Sequence, residues 1–241
     1  YSYYDLPQQV EIPHEDDILE QGLWNVDRLS VVNRLVDFTK SKINYSNFEN
    51  LKIERDLKSK KYLFVDSEAD VCFANPGTSE MHFVAALDNN PEMRCVLGLF
   101  EGVVTGAADG YGRMARKPSV TLTHLGPGLG NGLANLHNAK KARTPIVNVV
   151  GEHATYHRKY DAPLTSDVAG FAAPVSGWVK VSESANTVAT DGAEAVQASM
   201  APPGQVATLI LPADTAWNRT TAAPKPLPRI EPKAYSVDNV N

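Results

Sequence analysis

From residue 70 onward the chain alternates short apolar runs with longer segments of helical period, and this alternation constrains the fold more than any other feature. The runs are Asp70–Ala74, Arg94–Gly98, Ser119–His124, Pro145–Val150, Trp178–Val181 and Val206–Leu211. Each is rich in Val, Leu, Ile or Phe and bordered by Gly or Pro, as expected for strands buried on both faces of a parallel sheet. Between the first four, the segments Ser79–Asp88, Glu101–Ala115 and Leu129–Ala142 read as helices. The pattern predicts an α/β fold: a doubly wound, mainly parallel six-stranded sheet with helices on both faces.

Composition locates the start of this region. Residues 1–70 hold 14 Asp or Glu against 9 Lys or Arg and only one of the 16 glycines, whereas the acidic and basic residues after position 70 balance. The net charge of −5 therefore lies wholly in the first part. We expect three segments: an N-terminal extension over 1–66, the α/β domain over 67–218, and a linker or the start of a further domain over 219–241. In the extension, Asp27–Lys42 has the spacing of an amphipathic helix and Tyr62–Val65 resembles a short strand.

Several function classes fall away. No run approaches the roughly 18 apolar residues of a membrane span, and residues 1–30 lack the basic-then-apolar order of a secretory signal. The absence of a basic stripe argues against a nucleic-acid surface. Two cysteines, Cys72 and Cys95, make neither a disulfide framework nor a thiolate metal site, so a reduced, cytoplasmic setting is expected. Asn44-Tyr45-Ser46 is then a chance sequon. Residue 1 is Tyr and the end is polar, which leads us to expect a piece of a longer protein.

In an open parallel sheet, ligands sit beyond the carboxyl ends of the strands. Three loops qualify. The first is Asn75-Pro76-Gly77-Thr78-Ser79-Glu80, where Pro76-Gly77 makes a tight turn and Thr78 or Ser79 can cap the next helix. Helix capping alone or ligand contact are equally good readings of it. The second loop presents Glu101 at a helix N-terminus, where the bland reading is a first-turn acid favoured by the helix dipole. Flanking Leu99, Phe100, Val103 and Val104 predict a buried carboxylate with no basic partner nearby in sequence, and burial demands a donor, which a ligand can supply.

The third loop, after His124, carries four glycines between Gly126 and Gly132. It has the flavour of a phosphate cradle at a helix N-terminus but fits neither G-x-G-x-x-G nor G-x-x-x-x-G-K-[ST]. His124 is either a satisfied core histidine or an acid–base group at the rim. His153 and His157 have i, i+4 spacing, but without a third ligand no metal site is expected.

Taken together, Asn75-Pro76-Gly77-Thr78-Ser79-Glu80, Glu101 through Tyr111, Arg116-Lys117-Pro118, and Gly126-Pro127-Gly128 with Gly130-Asn131 resemble the pyrimidine-binding domain of thiamine-diphosphate enzymes, in particular acetolactate synthase large subunits and benzoylformate decarboxylase. The likeness runs from about Asp70 to Asn218 with order and spacing kept. It implies that Glu101 is the activating glutamate, hydrogen-bonded to N1′ of the cofactor's aminopyrimidine so that the 4′-nitrogen removes the thiazolium proton. It further implies that Asn75, Pro76, Gly77, Gly126, Pro127, Gly128 and Asn131 line the cofactor pocket. Thr78 and His124 would handle protons on a 2-oxo acid substrate.

The same likeness implies thiamine diphosphate as cofactor, with Mg²⁺ held by a diphosphate-binding domain of another subunit, in a homo-oligomer. FAD, which some relatives bind on a middle domain, is allowed but not required. The Gly-Asp-Gly motif with its downstream Asn has one lookalike, Ala108-Asp109-Gly110 with Asn131, and its place inside the helix begun by Glu101 marks it as a decoy. This chain thus supplies half a site and is expected to be inert alone. After Gly151 come Glu152-His153 where acetolactate synthases usually carry glutamine, and with His124 this fits a 2-oxo acid decarboxylase or other carboligase at least as well. Two other readings stand beside this one: a nucleotide or phosphate module built on Gly126–Gly132, and a catalytically incomplete interaction relic.

Overall fold

The computed structural model describes residues 69–222 and 227–230. Expectations that fall on the helix at Asp27–Lys42, the strand at Tyr62–Val65 and the sequon at Asn44 lie outside the described residues. Six strands, β1 (Val71–Asn75), β2 (Arg94–Leu97), β3 (Ser119–Thr123), β4 (Ile146–Glu152), β5 (Trp178–Val181) and β6 (Val206–Pro212), form one sheet in the order β2-β1-β3-β4-β6-β5. Every pairing is parallel. The chain leaves β1 toward β2 on one side and returns to β3 on the other, so the topological switch lies between the carboxyl ends of β1 and β3.

The connecting helices are α1 (Met81–Asp88, after a 3₁₀ turn at Thr78–Glu80), α2 (Glu101–Ala115), α3 (Leu125–Ala142), α4 (Val168–Ala172), α5 (Val188–Met200) and α6 (Ala213–Trp217). They cover both faces, as the alternation predicts. Phe83 and Leu87 of α1 and Ala195 of α5 share one buried cluster with Val120, Leu122, Val147, Val149 and Leu209. Ala108 of α2, Leu129 and Leu136 of α3 and Ala172 of α4 share the other with Ile146, Val150, Val206 and Ile210. Alternate residues of the central strands feed opposite clusters, the period-two rule of a pleated sheet.

Three polar residues interrupt that apolar interior in register. Thr121, Asn148 and Thr208 are paired neighbours across β3, β4 and β6 and are fully buried. Thr121 Oγ1 donates to Asn148 Oδ1 at 2.8 Å, Asn148 Nδ2 donates to Thr208 Oγ1 at 2.9 Å, and Ser176 Oγ lies 2.7 Å from the same Thr208 hydroxyl. A cross-strand ladder of this kind satisfies groups whose burial would otherwise be costly.

Several expectations need correction. The strand β2 is not buried on both faces: among the described residues it is an edge strand paired only with β1, with Arg94 and Cys95 exposed and Leu97 60% accessible. The third helix begins at Leu125 rather than Leu129, so the glycines expected in a phosphate loop sit inside its first two turns. Gly126, Gly128 and Gly132 are buried there, and a Cβ on Gly132 would press on Thr105 of α2 at 2.8 Å. Their smallness lets α3 approach its neighbours, which removes the support for a phosphate cradle.

The decoy reading of Asp109 holds. Its carboxylate accepts from Arg113 Nε at 2.8 Å and Nη2 at 2.6 Å, and from Thr144 Oγ1 at 2.7 Å, so it ties α2 to the segment entering β4.

Cys72 and Cys95, directly paired across β1 and β2, are both free. Hydrogen bonding from the Cys72 thiol lowers the Cys95 thiol to about 7, whereas Cys72 itself is pushed up. Alkylation with iodoacetamide is therefore expected at Cys95 first, half-maximal near neutral pH, with Cys72 untouched in the folded protein. Equal labelling of both by peptide mass spectrometry would contradict the arrangement.

Candidate functional site

The carboxyl ends of β1 and β3 bring together the residues singled out from the first and third loops. Between β3 and α3 the chain turns sharply: Leu125, fully buried, sits in the left-handed region at φ 51°, a costly conformation for a leucine. That turn leaves His124 at the rim as the N-cap of α3, with its side chain 26% exposed.

His124 is neither alone nor a core residue. Its Nδ1 lies 2.8 Å from Glu80 Oε2, and the same oxygen accepts the Gly77 N–H at 2.7 Å. The imidazole packs so closely on the β1 turn that a Cβ at Gly77 would overlap the ring. Gly77 is thus required by close approach, and Glu80 fixes which ring nitrogen of His124 remains for other chemistry, namely Nε2. The expected caps from Thr78 or Ser79 are absent: neither side chain caps the turn, and the Glu80 carboxylate reaches back to Gly77 instead. Thr78 is exposed and makes no side-chain hydrogen bond among the described residues.

Glu80 was missed as a site residue. It is 1% exposed, and a Cβ on Gly151 at the end of β4 would overlap its carboxylate. Burial raises its carboxyl above the ordinary value, opposed by the His124 ring and the Gly77 N–H. A signal was present: glutamate three residues after the turn glycine is the reciprocal half of a capping box.

The raised value has a sign. The folded state holds the Glu80 proton more tightly than the unfolded chain, so stability falls as pH rises from the ordinary carboxylate range through the folded value and is flat above it. Glu80→Gln should remove that descent while keeping a neutral partner for His124. Thermal melts from about pH 4 to about pH 7 check this, and a variant with the same slope as the parent would contradict it.

Glu101 opens α2 and is half-buried rather than enclosed. Leu99 is 80% exposed, Phe100 50% and Val103 59%; only Val104 of the four expected neighbours is buried. The reason is that they follow the edge strand β2, which no further element covers among the described residues. Asn131 Nδ2 donates to Glu101 Oε2 at 3.0 Å, a side-chain partner that the search for nearby basic residues could not find. A Cβ on Gly128 would lie 3.2 Å from Glu101 Oε1, so α3 runs directly alongside the carboxylate. The structure therefore joins Glu101 with Gly128 and Asn131, and His124 with Gly77. Asn75 and Pro76 are half-buried at the end of β1, and Pro127 is exposed on the first turn of α3.

Beyond β4, no helix aligns His153 and His157. They lie in a turn with ring centroids 5.2 Å apart, and no group of metal-ligating side chains forms among the described residues. His153 titrates below its ordinary value, first through burial, with Glu152 opposing and His157, His124 and Arg158 adding to it.

With this geometry in hand, the comparisons are specific. Residues 62–173 match the family described as thiamine pyrophosphate enzyme, N-terminal TPP binding domain. This stretch belongs to that family. The chain is 65% identical over 154 residues to a Mycobacterium tuberculosis (strain H37Rv) protein provisionally named acetolactate synthase large subunit IlvX, covering 64% of this chain and 30% of that protein. It is 32% identical over 143 residues to benzoylformate decarboxylase of Pseudomonas aeruginosa, covering 59% of this chain and 27% of the enzyme. The fold superposes on the thiamine diphosphate-dependent 4-hydroxybenzoylformate decarboxylase of Rhodococcus jostii RHA1 with a TM-score of 0.67 at 23% identity, over 76% of this chain and 35% of the other. The chain thus spans about a third or less of these proteins. No described helix is long and apolar enough to cross a membrane.

Proposed function

We propose that this chain supplies the pyrimidine-binding half of a thiamine diphosphate-dependent enzyme acting on 2-oxo acids, either an acetolactate synthase-like carboligase or a benzoylformate decarboxylase-like decarboxylase. The observation that carries this reading is the Glu101 carboxylate. It stands at the head of α2, steadied by Asn131 and flanked in sequence by exposed Leu99, Phe100 and Val103. Apolar side chains left open around a carboxylate fit a surface that another domain covers, and a covered carboxylate needs an N–H donor. The aminopyrimidine of thiamine diphosphate becomes such a donor when its ring nitrogen is protonated, so the residues present fit the cofactor.

Thiamine diphosphate supplies the electron sink for cleaving the bond beside a 2-oxo acid's carbonyl. The chain's own residues do the rest. Glu101 would share a proton with the pyrimidine ring nitrogen, giving it up to favour the reactive imino tautomer and then accepting from the resulting N–H, while Asn131 fixes the carboxylate's orientation. Gly77, Gly126 and Gly128 let His124, Ser166 and Glu101 pack at this rim, which with Asn75, Pro76, Pro127 and Asn131 would line the cofactor pocket. His124, held through Nδ1 by Glu80, offers Nε2 for proton transfer to or from the substrate, and Thr78 stands exposed at the same edge. A diphosphate-binding domain of a second subunit would hold Mg²⁺ and complete a homo-oligomer; FAD is not required by any of these residues.

Titrating thiamine diphosphate with Mg²⁺, and separately NAD and ATP, against a longer form that includes the diphosphate-binding domain tests the assignment. Binding of thiamine diphosphate alone is expected. Tight NAD or ATP binding without any response to thiamine diphosphate would overturn it.

A further inference from the structure

The loop between β4 and α4, residues 153–167, carries polar groups that the reading above leaves unused. Among the described residues, six buried side-chain atoms lack a hydrogen-bond partner: Glu80 Oε1, Thr123 Oγ1, His153 Nε2, Arg158 Nε and Nη2, and Thr165 Oγ1. Thr123 ends β3, Glu80 closes the turn after β1, and the other four atoms belong to the one loop that follows β4. Elsewhere in the interior the polar atoms find partners, as native proteins require, so the orphans mark a place where the partner is not the protein itself.

Arg158 is the decisive member. Its Nε and Nη2 form the side-on edge of the guanidinium, two parallel N–H groups spaced for the two oxygens of one oxyanion. Among the described residues no carboxylate fills it. Glu152 Oε1 accepts the His153 N–H at 2.7 Å, and Glu80 Oε2 is taken by Gly77 and His124. No ion pair to Arg158 forms among the described residues.

The loop is also a fixed frame. Asp214 accepts from the Thr155 N–H at 2.9 Å and hydroxyl at 2.6 Å at its start, and Asp167 caps α4 through the Gly170 N–H at 2.8 Å at its end. Ser166 lies against the first turn of α3, where a Cβ on Gly126 would overlap it. His153, whose Nε2 is also orphaned, is close enough to feel the charges of both Arg158 and His124.

We propose that the side-on edge of Arg158, with His153 Nε2, forms a subsite for the oxyanion of a small ligand, a carboxylate or a phosphate group, beside His124. The buried donors admit a small molecule rather than a macromolecular surface. The inference does not depend on thiamine diphosphate, and its test omits that cofactor.

The full 241-residue chain is titrated with 2-oxoglutarate and, separately, with inorganic phosphate, with chloride as control, by calorimetry and thermal melting. At least one of the two should bind and raise the melting temperature where chloride does not. Arg158→Met should weaken that binding by about tenfold or more, yet melt at or above the parent temperature without anion, because an unpaired buried charge has been removed. Arg158→Lys, a point charge without the fork, should recover only part of the affinity. Response to 2-oxoglutarate alone assigns a carboxylate, and response to both anions or to phosphate alone assigns a phosphate-type group. Two results overturn the proposal: a parent chain that binds neither anion better than chloride, or an Arg158→Met chain that binds as tightly as the parent.

Discussion

Glu101→Gln, placed in a longer form that includes the diphosphate-binding domain, is expected to lower kcat by about 10²–10⁴-fold, the range lost with a general acid–base group. Thiamine diphosphate affinity should fall far less. The amide keeps the side chain's shape, and its oxygen can still accept from Asn131 as the carboxylate does at 3.0 Å. What it cannot do is supply the proton that the pyrimidine ring nitrogen must gain before the 4′-nitrogen can act as base. Steady-state turnover with a 2-oxo acid, beside the cofactor's dissociation constant, separates the two effects. A variant with parental turnover would refute the role given to Glu101, and one that fails to bind the cofactor would reduce that role to binding.

The second large effect concerns the scaffold. Asn148→Leu should destabilise the domain by about 2–4 kcal/mol, because it strips Thr121 and Thr208 of partners inside a fully buried ladder. For a domain of this size that corresponds to a fall in Tm of roughly 5–15 °C. The ladder joins β3, β4 and β6, so the loss is felt at the sheet's centre, where overpacking by leucine adds to it. Replacing all three residues by apolar ones of similar volume should recover part of the loss. A single variant that melts like the parent would mean that the ladder contributes nothing net.

The sheet was legible because a doubly wound fold writes itself as repeated apolar runs, and the boundaries of β5 and α2 agree with the expected ones to the residue. The failures have physical causes. A parallel strand's edge position depends on pairing order, which periodicity does not carry, so the exposure of β2 and of the apolar residues flanking Glu101 in sequence was hidden. Glycines in a first helical turn read as a loop until their contacts with Thr105 and Ser166 are known. In the site, local grammar located Gly77, Glu101 and His124, but the partners Glu80 and Asn131 come from 44 and 30 residues away. Glu80 reads as an ordinary first-turn acid until β3 delivers a histidine to it. Arg158 gives no signal at all in sequence; only the unpaired, buried edge of its guanidinium singles it out.

The pair of Glu80 and His124 matters because two glutamates stand at one rim. Glu80 is enclosed and already engaged, whereas Glu101 is open on its apolar side and held by a single amide. The proposed division of roles, Glu80 orienting the histidine and Glu101 meeting the cofactor, rests on that difference. A crystal structure of the longer protein with thiamine diphosphate and Mg²⁺ tests this most directly. The account predicts a Glu101 carboxylate oxygen at hydrogen-bond distance, about 2.6–3.2 Å, from the pyrimidine ring nitrogen. A pyrimidine seated away from Glu101, or bonded to Glu80 in its place, would contradict it.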